Sequence, residues 1–239
     1  MWKILIIDFV LGALLGIGVG GTHEVSAQGH LDNLKNRSEW GIQVGGQYAH
    51  VYLNDYYRFL LFESAPIGGY RYGALWRYRM GPYAGFQVEV GFSEKGYRQQ
   101  YLRSNGFYEA RFRYQQAAWL THLYHSFHTL SLFLNAGFYA ENLWHVRTRS
   151  WGEPRHEGEE FYPFIPERDP KYTMGIRGEG GFLWKSPIGK FQIAGGMSFS
   201  LMDFLKSDRL KQRSPPFESR HYVYYGTLGY LIPLAGLKK

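Results

Sequence analysis

Three evenly spaced histidines, His122, His125 and His128, are the first residues that invite a chemical reading. Imidazole suits Zn or Cu, and a strand end followed by a turn could gather the three. No carboxylate lies near them in sequence to orient the rings, so histidines beside a turn at a membrane interface are the preferred reading. Ser126 and Ser131, with His122, His125 and Glu141, supply the residue types of a nucleophile, a base and an acidic orienter. No motif ties them together, and no catalytic, metal or cofactor role is assigned. The chain contains no Cys, which removes disulfides, thiolate metal sites and a lipoprotein anchor. A larger set is charged: Arg71, Arg77, Glu89, Arg111, Arg113, Glu141, Arg177 and Glu179. A basic run, Lys206, Arg209, Lys211 and Arg213 with Arg220, carries donors suited to phosphate.

The elements that must position these residues are extended. Between Tyr83 and Lys95, Ala84, Phe86, Val88, Val90 and Phe92 alternate with Gln87, Glu89, Gly91, Ser93 and Lys95. Period-two alternation is a strand with one apolar and one polar face. Its length suits a membrane-crossing strand of about 9–11 tilted residues. The pattern predicts eight strands, at about 39–53, 67–80, 83–101, 107–124, 129–146, 172–185, 190–201 and 220–234. Tight turns at Met80-Gly81-Pro82, His125–His128 and Ser186–Gly189 alternate with longer connectors, notably 147–171 and 203–219. Even strand number with short turns at one end and long loops at the other is the pattern of an eight-stranded antiparallel outer-membrane β-barrel. The eight charged residues above then line the lumen. A barrel of that size is filled by its own side chains, so a packed ion-pair plug is expected rather than a gated path. The aromatic stretch Phe161–Pro166 reads either as a docking surface or as packing over the barrel mouth.

Composition agrees. Mean hydropathy is −0.35, as expected when half of each strand faces a polar interior. The 17 Phe, 20 Tyr and 7 Trp suit strands and interfacial girdles. Residues 1–27 read as a secretory signal, with Lys3, an apolar run and Val25-Ser26-Ala27. A lead at 28–38, the barrel at 39–234 and a tail at 235–239 follow. Without Lys3, Asp8 and Glu24 the formal charge moves from +7 to +8. A basic exported chain points to lipid phosphates and lipopolysaccharide, and away from nucleic acid.

The pieces FQVEVGFSEKGY (Phe86–Tyr97), LNAGFYAENL (Leu134–Leu143), GIRGEGGF (Gly175–Phe182) and VYYGTLGYLI (Val223–Ile232) occur in an order that resembles the PorT-like outer-membrane β-barrel family of Bacteroidetes. The resemblance spans about residues 40–234 and supplies no catalytic residues. It implies a non-enzymatic structural or interaction component of the outer membrane, with other envelope or secretion proteins as partners. A lipid-modifying enzyme of the lipid A deacylase kind and a small-solute, porin-like channel are the alternatives.

Overall fold

The computed structural model describes residues 37–53, 62–101, 106–152, 163–205 and 219–233, all in the unit Lys35–Lys239. Almost every described residue is in a strand. The strands are β1 (Ser38–Leu53), β2 (Phe62–Ala65), β3 (Ile67–Arg79), β4 (Ala84–Tyr101), β5 (Phe107–Phe127), β6 (Leu130–Trp151), β7 (Tyr172–Ser186), β8 (Gly189–Ser200) and β9 (Ser219–Pro233). β1 pairs with β3, β3 with β4, each later strand with the next, and β9 with β1, all antiparallel, so the sheet closes. β2 and β3 form one stave. Both pair with β4, but the register slips by one residue between Ala65↔Arg98 and Arg71↔Ser93. Pro66, which has no N–H to give a ladder, sits in the gap. The result is an eight-stave antiparallel barrel.

The faces of the wall are inverted relative to a soluble protein. Ile42, Phe138, Ile193 and Leu228 point outward and are 60–67% exposed, while Gln87, Asn135 and Gln192 point inward at 0–1%. Such a surface is stable only against hydrocarbon, and closure leaves no unpaired edge there. The barrel is transmembrane, of the outer-membrane type. Rings mark the limits of the apolar band. At the short-turn end, Trp184 meets Phe191 and Phe191 meets Tyr230, with centroids 5.8 and 5.2 Å apart. Toward the long-loop end, Phe92 packs on Tyr72 at 5.4 Å and on Trp144 at 5.5 Å.

Close strand approach sets one local demand. A Cβ on Gly45 would lie 2.0 Å from the Gly226 carbonyl oxygen, whereas one on neighbouring Gly46 would meet open space.

The wall is uneven. β4, β5 and β6 have 18, 21 and 22 residues, whereas β7, β8 and β9 have 15, 12 and 15. About 9–11 residues cross a bilayer, so roughly half of β5 and β6 lies outside it, most of that beyond the Phe92–Trp144 level at the long-loop end. This corrects two boundaries: β6 runs on through Arg147 and Arg149 to Trp151, residues expected in a loop, and β5 continues to Phe127. The turn is His128-Thr129, with His128 at a φ of 50°, a conformation that His tolerates better than bulkier or branched residues. Segment β2 also lies where only a connector was expected.

Candidate functional site: the charged lumen

Alternation along each strand carries Arg71, Arg77, Glu89, Glu141, Arg177 and Glu179 to the inner face, all buried. The centre is Arg177 on β7. Its Nη1 donates to Glu89 Oε2 at 2.6 Å, and its Nη2 donates to Glu179 Oε2 at 2.5 Å. Glu89 is on β4, three staves away, so the guanidinium bridges the bore. Arg177 Nε donates to the Tyr225 hydroxyl at 2.6 Å, and Tyr225 donates to Glu179 at 3.0 Å. Glu89 also accepts from Gln43 and Gln87, each at 2.6 Å, and pairs with Arg71 Nη2 at 3.5 Å. Glu179 also accepts from Asn135 Nδ2 at 2.7 Å. The Arg71 guanidinium lies 4.2 Å from the centre of the Tyr225 ring. Nearly every carboxylate oxygen thus meets a donor, which is the condition for burying such charges.

Toward the short turns, Arg77 is held largely by amides. It donates to Gln87 Oε1 at 2.5 and 2.9 Å and to Gln192 Oε1 at 2.7 Å, and stands 3.8 Å from Glu39. Glu39 pairs with Arg79 and Lys190. At that mouth a recess of about 420 Å³ is lined by Arg37, Arg79, Tyr124 and Ser126. Toward the long loops, Lys95 pairs with Glu141, which also accepts from Ser93 Oγ at 3.3 Å.

Above this tier the lumen turns apolar. Tyr97, Tyr108, Phe112 and Val51 from the wall meet Phe164, Phe204 and Leu205 from the long-loop segments. Phe112 and Phe164 pack edge-on at 4.9 Å, and the Phe164 N–H donates to the Tyr108 hydroxyl at 3.0 Å. His221 is fully buried with its ring 4.2 Å from that of Phe204. Of the stretch Phe161–Pro166, Phe164 therefore packs into the mouth, while Phe161 and Tyr162 lie outside the described residues.

Two of the expected lumen residues are elsewhere. Arg111 and Arg113 point outward, and their place on the inner face is taken by Phe112 and Tyr114. The reason is solvent. Where β5 leaves the bilayer, apolar residues gain by turning inward onto the cap and charged ones by turning outward to water. Arg113 Nε donates to Glu94 at 2.8 Å, and Arg111 Nε donates to Glu109 at 2.7 Å. Burial raises the Glu109 carboxyl, but hydrogen bonds from Arg111 and Arg98 outweigh it and hold the group below the ordinary carboxylate range.

The histidines do not converge. Three-residue spacing on a strand alternates faces: His122 is buried inside with Nδ1 2.6 Å from Asn135 Oδ1, and His125 stacks on Tyr83 outside. Among the described residues no group of three metal-ligating side chains comes together. Ser126 and Ser131 lie 2.8 Å apart, Oγ to Oγ, and Glu141 is committed to Lys95 and Ser93 at another level. Of the basic run, Lys206, Arg209, Lys211 and Arg213 lie outside the described residues. Arg220 is half-buried on β9, its guanidinium 5.6 Å from the Phe199 ring centre.

Sequence reading missed the amide donors and acceptors Gln43, Gln87, Gln192 and Asn135 as members of the network, and missed Glu39, Lys95 and Tyr225. The available signal was their phase: Gln87, Glu89, Ser93 and Lys95 share one face of β4.

No family model and no curated protein sequence matches the chain. Solved outer-membrane proteins resemble it in fold. OprG from Pseudomonas aeruginosa is 10% identical with a TM-score of 0.43, over 84% of this chain and 98% of that one. Ail of Yersinia pestis is 12% identical with a TM-score of 0.40, over 82% and 99%. Neisserial surface protein A is 7% identical with a TM-score of 0.39, over 80% and 96%. Likenesses this distant say nothing of the site, whose reading rests on its own residues.

Proposed function

We propose that the protein is a non-enzymatic barrel of the bacterial outer membrane, a structural or interaction component with a sealed lumen. The long loops face outward and the short turns face the periplasm. The observation that carries this is Arg177, which ties Glu89 on one wall to Glu179 on the other beneath an aromatic cap. A solute path would have to break that bridge and lift the cap. The serines, histidines and Glu141 that an acyl-transfer reading needs are engaged separately.

The more specific proposal is an accessory of protein secretion. It rests on the PorT-like resemblance of residues 86–97, 134–143, 175–182 and 223–232. In that role the rigid plugged barrel is a platform, and its partners engage loops or rim.

Planar-bilayer recording of the purified protein tests the sealed lumen. No steady conductance is expected from the wild type, and steady single-channel steps would make it a channel. Deleting the gene in its host and assaying exported proteins tests the accessory role: unchanged secretion would overturn it, and accumulation of unsecreted cargo is the expected result.

A further inference from the structure

The arginines that turn away from the lumen assemble a second site. On the outer face of β4–β6, cross-strand register sets Arg113 opposite both Glu94 and His145, Arg111 opposite Arg147, and Glu109 opposite both Arg98 and Arg149. The patch holds five arginines and two glutamates, a formal +3 with His145 neutral. The carboxylates are taken: Glu109 accepts from Arg98 Nε at 2.9 Å and Arg111 Nε at 2.7 Å, and Glu94 accepts from Arg113 Nε at 2.8 Å. Arg147 and Arg149 are exposed and have no hydrogen bond or ion pair with a described residue. Like charges directly opposite on one face of an antiparallel pair destabilise it, as Arg111 and Arg147 must here. An anion placed between them relieves that repulsion.

Height identifies the anion. Directly below the patch, Gln115 pairs with Asn142 and Phe92 packs on Trp144, the aromatic limit of the apolar band. Arg113 stands one same-face rung above this girdle, Arg111 and Arg147 two, and Arg98 and Arg149 three, so the cations begin at headgroup level and rise from it. We propose that this face binds the phosphate groups of a phosphorylated glycolipid in the outer leaflet, with Arg147 and Arg149 as the principal phosphate ligands and Arg111 beside them. Guanidinium forks match phosphate oxygens bidentately. The side facing the leaflet depends on the orientation proposed above, but neither ligand touches the lumen, so conductance results and lipid results fail independently.

The test uses the full-length protein in zwitterionic detergent, titrated with bisphosphorylated lipid A and read by native mass spectrometry. The wild type should retain the lipid. The Arg147→Gln/Arg149→Gln double variant should bind it about tenfold or more weakly, since two charge-assisted contacts are lost. Lipid A stripped of both phosphates should bind the wild type no better than the intact lipid binds the variant. Both substitutions lie on an exposed surface, and an unchanged far-UV circular dichroism spectrum checks the fold. Equal binding by wild type and variant, or indifference to the phosphates, overturns the proposal. Displacement of the lipid by millimolar inorganic phosphate would reassign the patch to soluble anions and overturn it too.

Discussion

Replacing Arg177 by Met keeps most of the side-chain volume and removes the charge that two carboxylates share. Glu89 would keep Gln43 and Gln87 at 2.6 Å and Arg71 at 3.5 Å, and Glu179 would keep Asn135 and Tyr225. Both would stay buried, at 4% and 3% exposure, and each would lose its shortest cationic contact. Breaking a buried pair by removing one partner typically costs about 3–5 kcal/mol. The surviving donors place Arg177→Met near the lower end, at about 3 kcal/mol. Reversible urea unfolding in short-chain phospholipid vesicles, followed by tryptophan fluorescence, reads this directly. The decisive comparison is a double-mutant cycle with Glu89→Gln. If the bridge carries the energy, adding Glu89→Gln to Arg177→Met recovers part of the loss, because one of the two stranded charges is gone. Additive losses, or a single-variant cost under about 1 kcal/mol, would refute a shared buried charge as the main tie across the bore.

Three further outcomes follow from the same geometry. Phe138→Arg places a charge on the lipid face and should cost about 2–4 kcal/mol near the midplane, measured by the same unfolding assay; a neutral result would put Phe138 outside the hydrocarbon. Gly45→Ala should impair folding, because its Cβ would meet the Gly226 carbonyl at 2.0 Å, whereas Gly46→Ala should be tolerated; the heat-modifiable gel shift of the folded barrel separates the two. At neutral pH the wild type should be more stable than Glu109→Gln. The Glu109 carboxyl sits below its ordinary 4.5 in the folded state, so its contribution is complete above that value and disappears as pH falls below it. A stability difference that grows on acidification would contradict the pairing with Arg98 and Arg111.

The architecture was legible where one solvent acts on one face along a whole strand. β4 keeps Ala84, Phe86, Val88, Val90 and Phe92 outward without interruption, so its phase could be read directly. β5 was not legible, because it crosses two environments. Its apolar residues lie on both faces, Ala117 and Trp119 against lipid and Phe112 and Tyr114 against the cap, and alternation alone does not say which face is inside. For the same reason Arg147 and Arg149 read as loop: a strand standing in water carries charge where a membrane strand carries leucine. Segment β2 is too short for a period to register. The lumen network was half legible. Phase sends Arg177 and Glu89 inward, but their meeting spans 88 positions in sequence and depends on ring closure, which no local pattern encodes.

The uneven wall gives the barrel a heading. A ring of equal staves would present the same rim to every direction in the membrane plane. Here the strand wall rises to a parapet at β4–β6 and drops to a sill at β8, with 12 residues against 22 in β6. From the tall side a neighbour in the membrane meets arginines and must climb past them to reach the mouth. From the low side it meets Leu201 and Met202, exposed at the end of β8, beside Phe204 and Leu205 of the cap. Among the described residues, the low side is the shorter lateral path to the cap.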